Sequence, residues 1–311
     1  MIECMEIITD IRDCGNRPCA ATIGSFDGVH LGHKAMLAEL REAADTKGVP
    51  LTVVTFARHP RLLFDGAAEP FLLTTNSEKA VLLEQAGVDR LVLLDFDTCM
   101  AAMSAGRFMR EVLAGLLGVK LLGVGYDHRF GKPCEGEGFE QYVGYGKECG
   151  IEVMRFSPFE LDGKKVSSTA VRRALSAGDI PAARELLGHG YMFAGTVVKG
   201  AGIGRGIGFP TANVQLDDEM KLLPSNGVYE VDVELDGGHC KGVMNIGMNP
   251  TVSDRMLRSI EVHIIDFSGD IYGKRIVVEP VRRLRGEVKF GTIDALKLQI
   301  GVDVARVKRG I

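Results

Sequence analysis

Thr22-Ile23-Gly24-Ser25-Phe26-Asp27-Gly28-Val29-His30-Leu31-Gly32-His33 reads as a strand end, a glycine-bearing turn and a helix start. The apolar run 20–23 is strand-like, and Met36, Leu37, Leu40, Ala43 and Ala44 recur at helical spacing until Gly48 stops the helix. Backbone N–H groups at such a helix start lack intrahelical partners and carry the positive end of the dipole. Glycine lets an anion approach that backbone closely. Two histidines three apart face the same way and can donate hydrogen bonds to a phosphorus centre whose charge grows in the transition state. The stretch therefore reads as a phosphate site, with Gly24, Phe26, Asp27 and Gly28 at the phosphate and His30 and His33 as catalytic donors. A metal pair of the H-x-x-H kind, or two plain surface histidines, accounts less well for the glycines.

Working outward, Leu51–Phe56, Leu91–Leu94, Leu121–Val124 and Ile151–Phe156 are apolar strand candidates. Helical patterns separate them: one capped by Thr75 or Asn76 and running through Gln85, then Phe108–Leu117 and Phe139–Lys147. Strand and helix alternating at this spacing predict βαβ units and a parallel, Rossmann-like α/β sheet, whose ligands sit at the carboxyl ends of the strands. Two short helices, Thr169–Ala177 and Pro181–Leu187, precede a change of rhythm. Beyond Gly188-His189-Gly190 the period is two: Val231, Val233 and Leu235 alternate with acidic residues, Asp236-Gly237-Gly238 turns the chain, and Ile260, Val262 and Ile264 alternate with Glu261 and His263. With a strand region at Ile271–Val281, this predicts an antiparallel sheet closed into a barrel, followed by a helix from Ile293 to Ile300. Two domains are expected, 1–187 and 188–311, as the 311-residue length itself suggests.

Composition narrows the function class. A formal net charge of −4 argues against a nucleic-acid binder, and no apolar run approaches the ~20 residues that span a bilayer. Seven cysteines without a C-x-x-C pair, and a start lacking a continuous apolar segment, suggest reduced thiols in a cytoplasmic protein. The Lys/Arg-rich segment 255–311 reads as a solvated face that attracts phosphates rather than as an RNA-binding tail. Met100, Met103 and Met109 read as core packing.

Two more stretches carry chemistry. In Val166-Ser167-Ser168-Thr169-Ala170-Val171-Arg172, Ser168 and Thr169 open a helix and Arg172 lies one turn inside it, so hydroxyls, free N–H groups and a guanidinium can meet one anion. Residues 199–213 carry glycine at 200, 202, 204, 206 and 208, then Phe-Pro-Thr-Ala-Asn. The absence of a Gly-Lys-Ser/Thr ending excludes a Walker A loop, and the run is expected to wrap phosphates as a loop rather than to open a helix, with Gly204 and Gly208 among the contacts. Thr211 and Asn213 follow on one side of an extended chain and offer hard oxygen ligands that suit Mg²⁺ shared with ATP phosphates.

The histidine loop and the Ser-Ser-Thr-Ala-Val-Arg stretch resemble the signatures of the HIGH-type nucleotidylyltransferases. In particular they are similar to the adenylyltransferase module of the prokaryotic bifunctional riboflavin kinase/FMN adenylyltransferases. Val54-Thr55-Phe56 with His59-Pro60, and Gly125-Tyr126-Asp127-His128-Arg129-Phe130-Gly131, sit where that family has similar stretches, although His128 stands where the family usually has an aromatic residue. Gly208-Phe-Pro-Thr-Ala-Asn213, Gly227-Val-Tyr229, Asn245-Ile-Gly-Met-Asn-Pro-Thr251, Glu261-Val-His263 and Tyr272-Gly-Lys274 follow in the order of the family's riboflavin kinase module. The resemblance implies a HIGH-type nucleotidylyltransferase domain followed by a six-stranded antiparallel barrel and a C-terminal helix. It implies ATP, riboflavin and FMN as substrates, with Mg²⁺ as cofactor. It also implies Glu261 as general base of the kinase step, and contacts to flavin or substrate from Asp127, Arg285, Glu287 and Phe290. Two other readings remain: a single-activity adenylyltransferase acting on another phosphate ester, and a flavin-binding regulator with lost catalysis.

Overall fold

The computed structural model describes residues 4–59, 69–95, 97–126, 130, 138–200, 202–249 and 257–310. Asp127, and with it His128, lies outside the described residues. The chain forms two compact units, one from Met1–Ala68 and Thr74–Ser167, the other from Glu69–Leu73 and Ser168–Ile311.

In the first unit, six strands form one sheet: β1 (Glu6–Ile8), β2 (Cys19–Ile23), β3 (Leu51–Phe56), β4 (Arg90–Leu94), β5 (Val119–Val124) and β6 (Glu152–Arg155), in the order β1-β4-β3-β2-β5-β6. Every pairing in it is parallel. β2 is buried along its whole length and β3 nearly so, which is why they read as unbroken apolar runs rather than alternating ones. The chain winds outward from β2 through β3 and β4 on one side, and through β5 and β6 on the other. The loop leaving the carboxyl end of β2 therefore sits at the topological switch point, where doubly wound sheets bind ligands. Helices Leu31–Lys47, Asn76–Gln85 and Phe139–Cys149 lie between these strands. Thr75 caps the second through a complete capping box with Glu78.

Two elements of this unit differ from expectation. β1 is three residues long, two of them exposed, too short to leave a pattern. The segment expected as one α-helix at 108–117 is a short helical turn, Ala105–Phe108, continuing as a π-helix over Met109–Leu116, with Leu117 N–H donating to the Val112 carbonyl at 3.0 Å. Met109 is fully buried, and Met100 and Met103 pack against the same core.

After a two-stranded ribbon, β7 (Glu160–Leu161) and β8 (Lys164–Lys165), come helices Ser168–Ala177 and Ile180–Leu187. Six antiparallel strands, β9 (Phe193–Val198), β10 (Ala212–Leu216), β11 (Gly227–Leu235), β12 (Gly238–Asn249), β13 (Leu257–Ile264) and β14 (Arg275–Arg285), then close into a barrel in the order β10-β13-β12-β11-β14-β9. Asp236 and Gly237, both at positive φ (51° and 77°), make the two-residue turn between β11 and β12 that the Asp-Gly pair predicts. The two short helices share their core with the barrel interior: Val171, Leu175, Ile180, Ala183 and Leu187 cluster with Phe193, Tyr229 and Val231. The compact division thus falls before Ser168, ahead of the expected 187/188. β14 starts four residues later than the apolar run because Tyr272-Gly273 forms a turn, with Gly273 N–H donating to Val197 O at 2.9 Å.

The final helix runs from Ile293 to Arg309, past Gly301, where an apolar pattern alone ends. Tertiary contacts extend it. Asp303 is wholly buried, accepts Arg285 Nε at 2.9 Å and Gln299 Nε2 at 3.0 Å, and Val307 packs with Val228, Val243 and Ile265.

Candidate active sites

The loop after β2 takes a conformation that its residue types resist. Phe26 (φ 47°) and Val29 (φ 38°) lie in the left-handed region together with Gly28 (φ 87°). For a β-branched valine this is strained backbone, of the kind that persists when packing over-determines it. Phe26 is 2% exposed and Val29 wholly buried, both in the core between sheet and helices. Asp27 is buried too: its Oδ1 accepts Thr74 N–H at 2.9 Å and the Thr74 hydroxyl at 3.3 Å, while Gly28 N–H donates to Thr74 Oγ1 at 3.0 Å. Asp27, expected at the phosphate, is thus bonded into the loop's support. Below Ser25, whose carbonyl accepts Thr55 Oγ1 at 3.2 Å, Lys79 Nζ donates to the same hydroxyl at 3.4 Å.

His30 is the N-cap of helix Leu31–Lys47 rather than part of its first turn, and its Nδ1 accepts His33 N–H at 3.3 Å. That bond reserves Nδ1 as acceptor, so a neutral His30 carries its proton on Nε2. The two imidazoles stack with centroids 3.7 Å apart, and Phe26 flanks His33 at 5.0 Å. Burial, then the neighbouring His30 and Lys79, hold the His33 imidazole well below its ordinary pKa. His33 is therefore neutral at pH 7 and donates through one N–H. Its buried Nδ1 has no protein partner among the described residues, a state that calls for a ligand. Gly32 packs tightly beside this pair: a Cβ there would lie 3.2 Å from the His30 ring.

Gly24, Phe26, Asp27, Gly28, His30 and His33 are thus brought together in the first unit. Ser168, Thr169 and Arg172 belong to the second, where Ser168 begins a ten-residue helix. Arg172 Nε donates to the Phe71 carbonyl at 2.8 Å and its guanidinium lies over the Phe71 ring, so the segment Glu69–Leu73 steadies it.

On the barrel, register assembles the second site. Glu261 of β13 pairs with Asn213 of β10 on one side and with Asn245 of β12 on the other. Paired residues project to the same face. Because Ala212, Val214, Ile260, Val262, Met244 and Ile246 face the barrel core, Asn213, Glu261 and Asn245 form a row on the outer face. Within the stretch Asn245–Thr251 nothing in the sequence singles out Asn245; its place beside Glu261 needs the β12–β13 register. His263 Nδ1 contacts the Pro210 carbonyl at 2.9 Å and its ring meets Phe209 edge-on, which fixes the Phe-Pro-Thr exit.

Within the glycine run, Ile203–Gly206 forms one helical turn where a plain loop was expected. The glycines serve close approach. A Cβ on Gly200 would lie 2.1 Å from Asn213 Nδ2, and one on Gly204 would lie 2.4 Å from Phe209 O and 3.1 Å from Thr211 Oγ1. Gly208, at φ 88°, takes a turn that other residues resist. A cavity of about 530 Å³ opens beside Thr211, walled by Val197, Val262, Ile264, Phe267 and Tyr272. Arg205 reaches from the helical turn to the Tyr272 hydroxyl at 3.3 Å. Thr211, Arg205, Ser268 and Asp270 add polar groups to these apolar walls, the mixture typical of a small-molecule site. Gly200→Ala is expected to displace Asn213 and slow phosphoryl transfer by about 10²-fold, the usual penalty for a group moved by an ångström. An assay of phosphoryl transfer from ATP checks it, with any reaction at the histidine loop unaffected.

Arg285, expected at the flavin, has its guanidinium committed to Asp303, with Phe290 stacked over it at 5.7 Å. Arg285 and Phe290 are thereby held as one unit at the root of the C-terminal helix.

Comparison with known proteins fits this pair of sites. A family profile described as FAD synthetase matches residues 13–170, and one described as riboflavin kinase matches 187–311. A Pseudomonas fluorescens bifunctional riboflavin kinase/FMN adenylyltransferase is 43% identical, covering 94% of this chain and 93% of its own. The Escherichia coli K12 enzyme of that name is 40% identical over 96% of both chains. A solved Streptococcus pneumoniae chain described as a macrolide-efflux protein has a TM-score of 0.86, 32% identity and 98% coverage of both chains. Among the described residues no helix is long and apolar enough to cross a membrane. On the two profile matches and the nearly full-length identity, the chain belongs to the family of bifunctional riboflavin kinase/FMN adenylyltransferases.

Proposed function

We propose that this chain phosphorylates riboflavin with ATP to FMN and ADP, then adenylylates FMN with a second ATP to FAD and pyrophosphate, in the cytoplasm, with the adenylyltransferase module in 1–187 and the kinase module in 188–311. The observation that carries the reading is that one chain holds two chemically different side-chain sets, a stacked histidine pair in which His33 is held neutral and a carboxylate set between two asparagines. The two reactions need that difference.

In the kinase step the nucleophile is a ribityl hydroxyl, fully protonated near pH 7. Glu261 takes its proton as the new O–P bond forms to the γ-phosphorus and the bond to ADP breaks. The adenine occupies the slot beside Tyr272, and the Gly204–Gly208 backbone meets the phosphates. Thr211 and Asn213, neutral oxygen donors beside Glu261, would hold Mg²⁺ together with ATP oxygens, and the ion supplies neutralisation of phosphate charge.

In the adenylyl step the nucleophile is a phosphate monoester with its second pKa near 6, already anionic at neutral pH. No strong base is required. His30 and His33 donate hydrogen bonds to the α-phosphoryl oxygens as the FMN phosphate attacks and pyrophosphate leaves. The Gly24–Gly28 loop presents its backbone to the phosphates, and Ser168, Thr169 and Arg172 bind the departing pyrophosphate.

The test is incubation of the purified chain with riboflavin, ATP and Mg²⁺, with flavins separated over time. FMN is expected to rise first and FAD to follow, with pyrophosphate released only in the second phase. Flavin binding without turnover, or adenylylation of another phosphate ester in preference to FMN, would overturn the reading.

A further inference from the structure

Lys79, on helix Asn76–Gln85, is a buried cation that neither site description uses. It is 5% exposed. An ammonium has three donors, yet Lys79 makes a single hydrogen bond among the described residues, the long one of 3.4 Å to Thr55 Oγ1. No carboxylate lies within ion-pair distance of it among the described residues; Asp27, spent on Thr74, is the one acid whose charge it feels. Glu78 beside it is tied into the Thr75 cap. A buried cation so poorly paired is costly, and burial brings its pKa down to about 8. A methionine or leucine would fill the same volume without that cost, so packing gives no reason for a lysine here.

Its surroundings supply one. Thr55 Oγ1 accepts from Lys79 and so turns its own proton to the Ser25 carbonyl, at the start of the Gly24–His33 loop. The charge of Lys79 also reaches His33, where it adds to the effect of burial and of His30 in keeping that imidazole neutral. The loop itself contains no Lys or Arg. A neutral His33 offers a hydrogen bond but no charge, whereas two phosphate groups meeting at this loop bring several negative charges.

We propose that Lys79 is a positioning residue for adenylyl transfer: it holds the histidine loop through Thr55 and supplies a fixed positive charge behind the stacked imidazoles, without touching the nucleotide. The inference rests on the adenylyl-transfer reading of that loop. The titratable groups around it are Asp27, His33 and, through the ring stack, His30.

The test compares Lys79→Met, which keeps length and loses charge, with Lys79→Arg, which keeps charge, in the full chain. For FAD formation from FMN and ATP, Lys79→Met is expected to lower kcat about 10- to 100-fold while the KM for FMN moves less than about threefold. Lys79→Arg is expected to recover most of that rate. Proton NMR of the His33 ring in the Met variant is expected to show its titration moving up toward the ordinary histidine range. Should the Met variant not fold, Lys79→Gln, which keeps a donor for Thr55, carries the same expectations. An unchanged kcat in the uncharged variant, or equal losses with Met and Arg and an unmoved His33 titration, would overturn the proposal. If the His33 titration moves as expected but the parent chain makes no FAD from FMN, the charge placement stands and the adenylyl-transfer reading fails.

Discussion

Replacing His33 by alanine is expected to cut FAD formation from FMN and ATP by roughly 10²–10³-fold, the penalty typical of losing one preorganised donor to a phosphoryl or acyl oxyanion, while riboflavin phosphorylation continues at the parent rate. The expectation follows from where the ring sits and what charge it carries. It is stacked on His30, flanked by Phe26 and held neutral by burial, with a ring nitrogen lacking a protein partner among the described residues. Such a group is oriented before substrate arrives and loses little on reaction. The effect should fall on kcat, because the hydrogen bond strengthens as charge develops at the α-phosphorus. His33→Asn, which keeps a donor of similar reach, should recover part of the rate. Separate assays of FMN and FAD formation decide it, and equal loss of both would show that the two reactions do not have separate catalytic groups. The same ring adds an acid sensitivity. Below its unfolded pKa of about 6.5, the unfolded chain binds a proton that the folded His33 refuses, so the stability it contributes above that pH is lost on acidification toward its lower folded pKa. Thermal melts of parent and His33→Ala between pH 7 and 5 should show a shallower pH slope for the variant.

Glu261→Gln is expected to do the reverse: FMN production falls by roughly 10²–10⁴-fold, the range for a positioned general base, and added FMN is still converted to FAD. The amide keeps the size and hydrogen-bonding shape of the carboxylate, so the β10–β13–β12 register and the Asn213–Glu261–Asn245 row survive, and what is lost is the capacity to accept the ribityl proton. No cation is ion-paired to Glu261 among the described residues; Arg282 and Lys241 are paired with Glu230 instead. Its carboxylate is thus not spent on a salt bridge. Steady-state kinetics with riboflavin as the varied substrate should show the loss in kcat with KM little changed, and an undiminished kinase rate would remove Glu261 from the mechanism.

How far the sequence discloses this molecule depends on how local each cause is. β3 was expected at Leu51–Phe56 and spans those residues, because a strand covered on both faces must be apolar throughout. The Asp236-Gly237 turn was equally plain, since the backbone conformation it needs is one those residues tolerate. Lys79 could not be read in this way. On a helix with Glu78, Glu84 and Gln85 it looks like one more solvated residue, and only the packing of that helix on the sheet makes it a buried cation. Asn245 is hidden in the sequence for a related reason: it lies sixteen residues before Glu261, and only the β12–β13 register makes them neighbours.

Binary patterning and a few chemically unusual stretches were sufficient, by themselves, to point to a parallel α/β unit, an antiparallel barrel and His30, His33, Thr211 and Asn213 as the residues to watch, while Glu261 came only from the family resemblance. Periodicity and turn chemistry act within a few residues and leave their mark on the chain directly. Tertiary structure alone decided that Phe26 and Val29 adopt a left-handed backbone, that His33 is neutral, that Asp27 supports the loop, and that Arg285 is held by Asp303. Each of these sets a local preference, a charge or a solvated group against burial, and burial is a property of the assembled core.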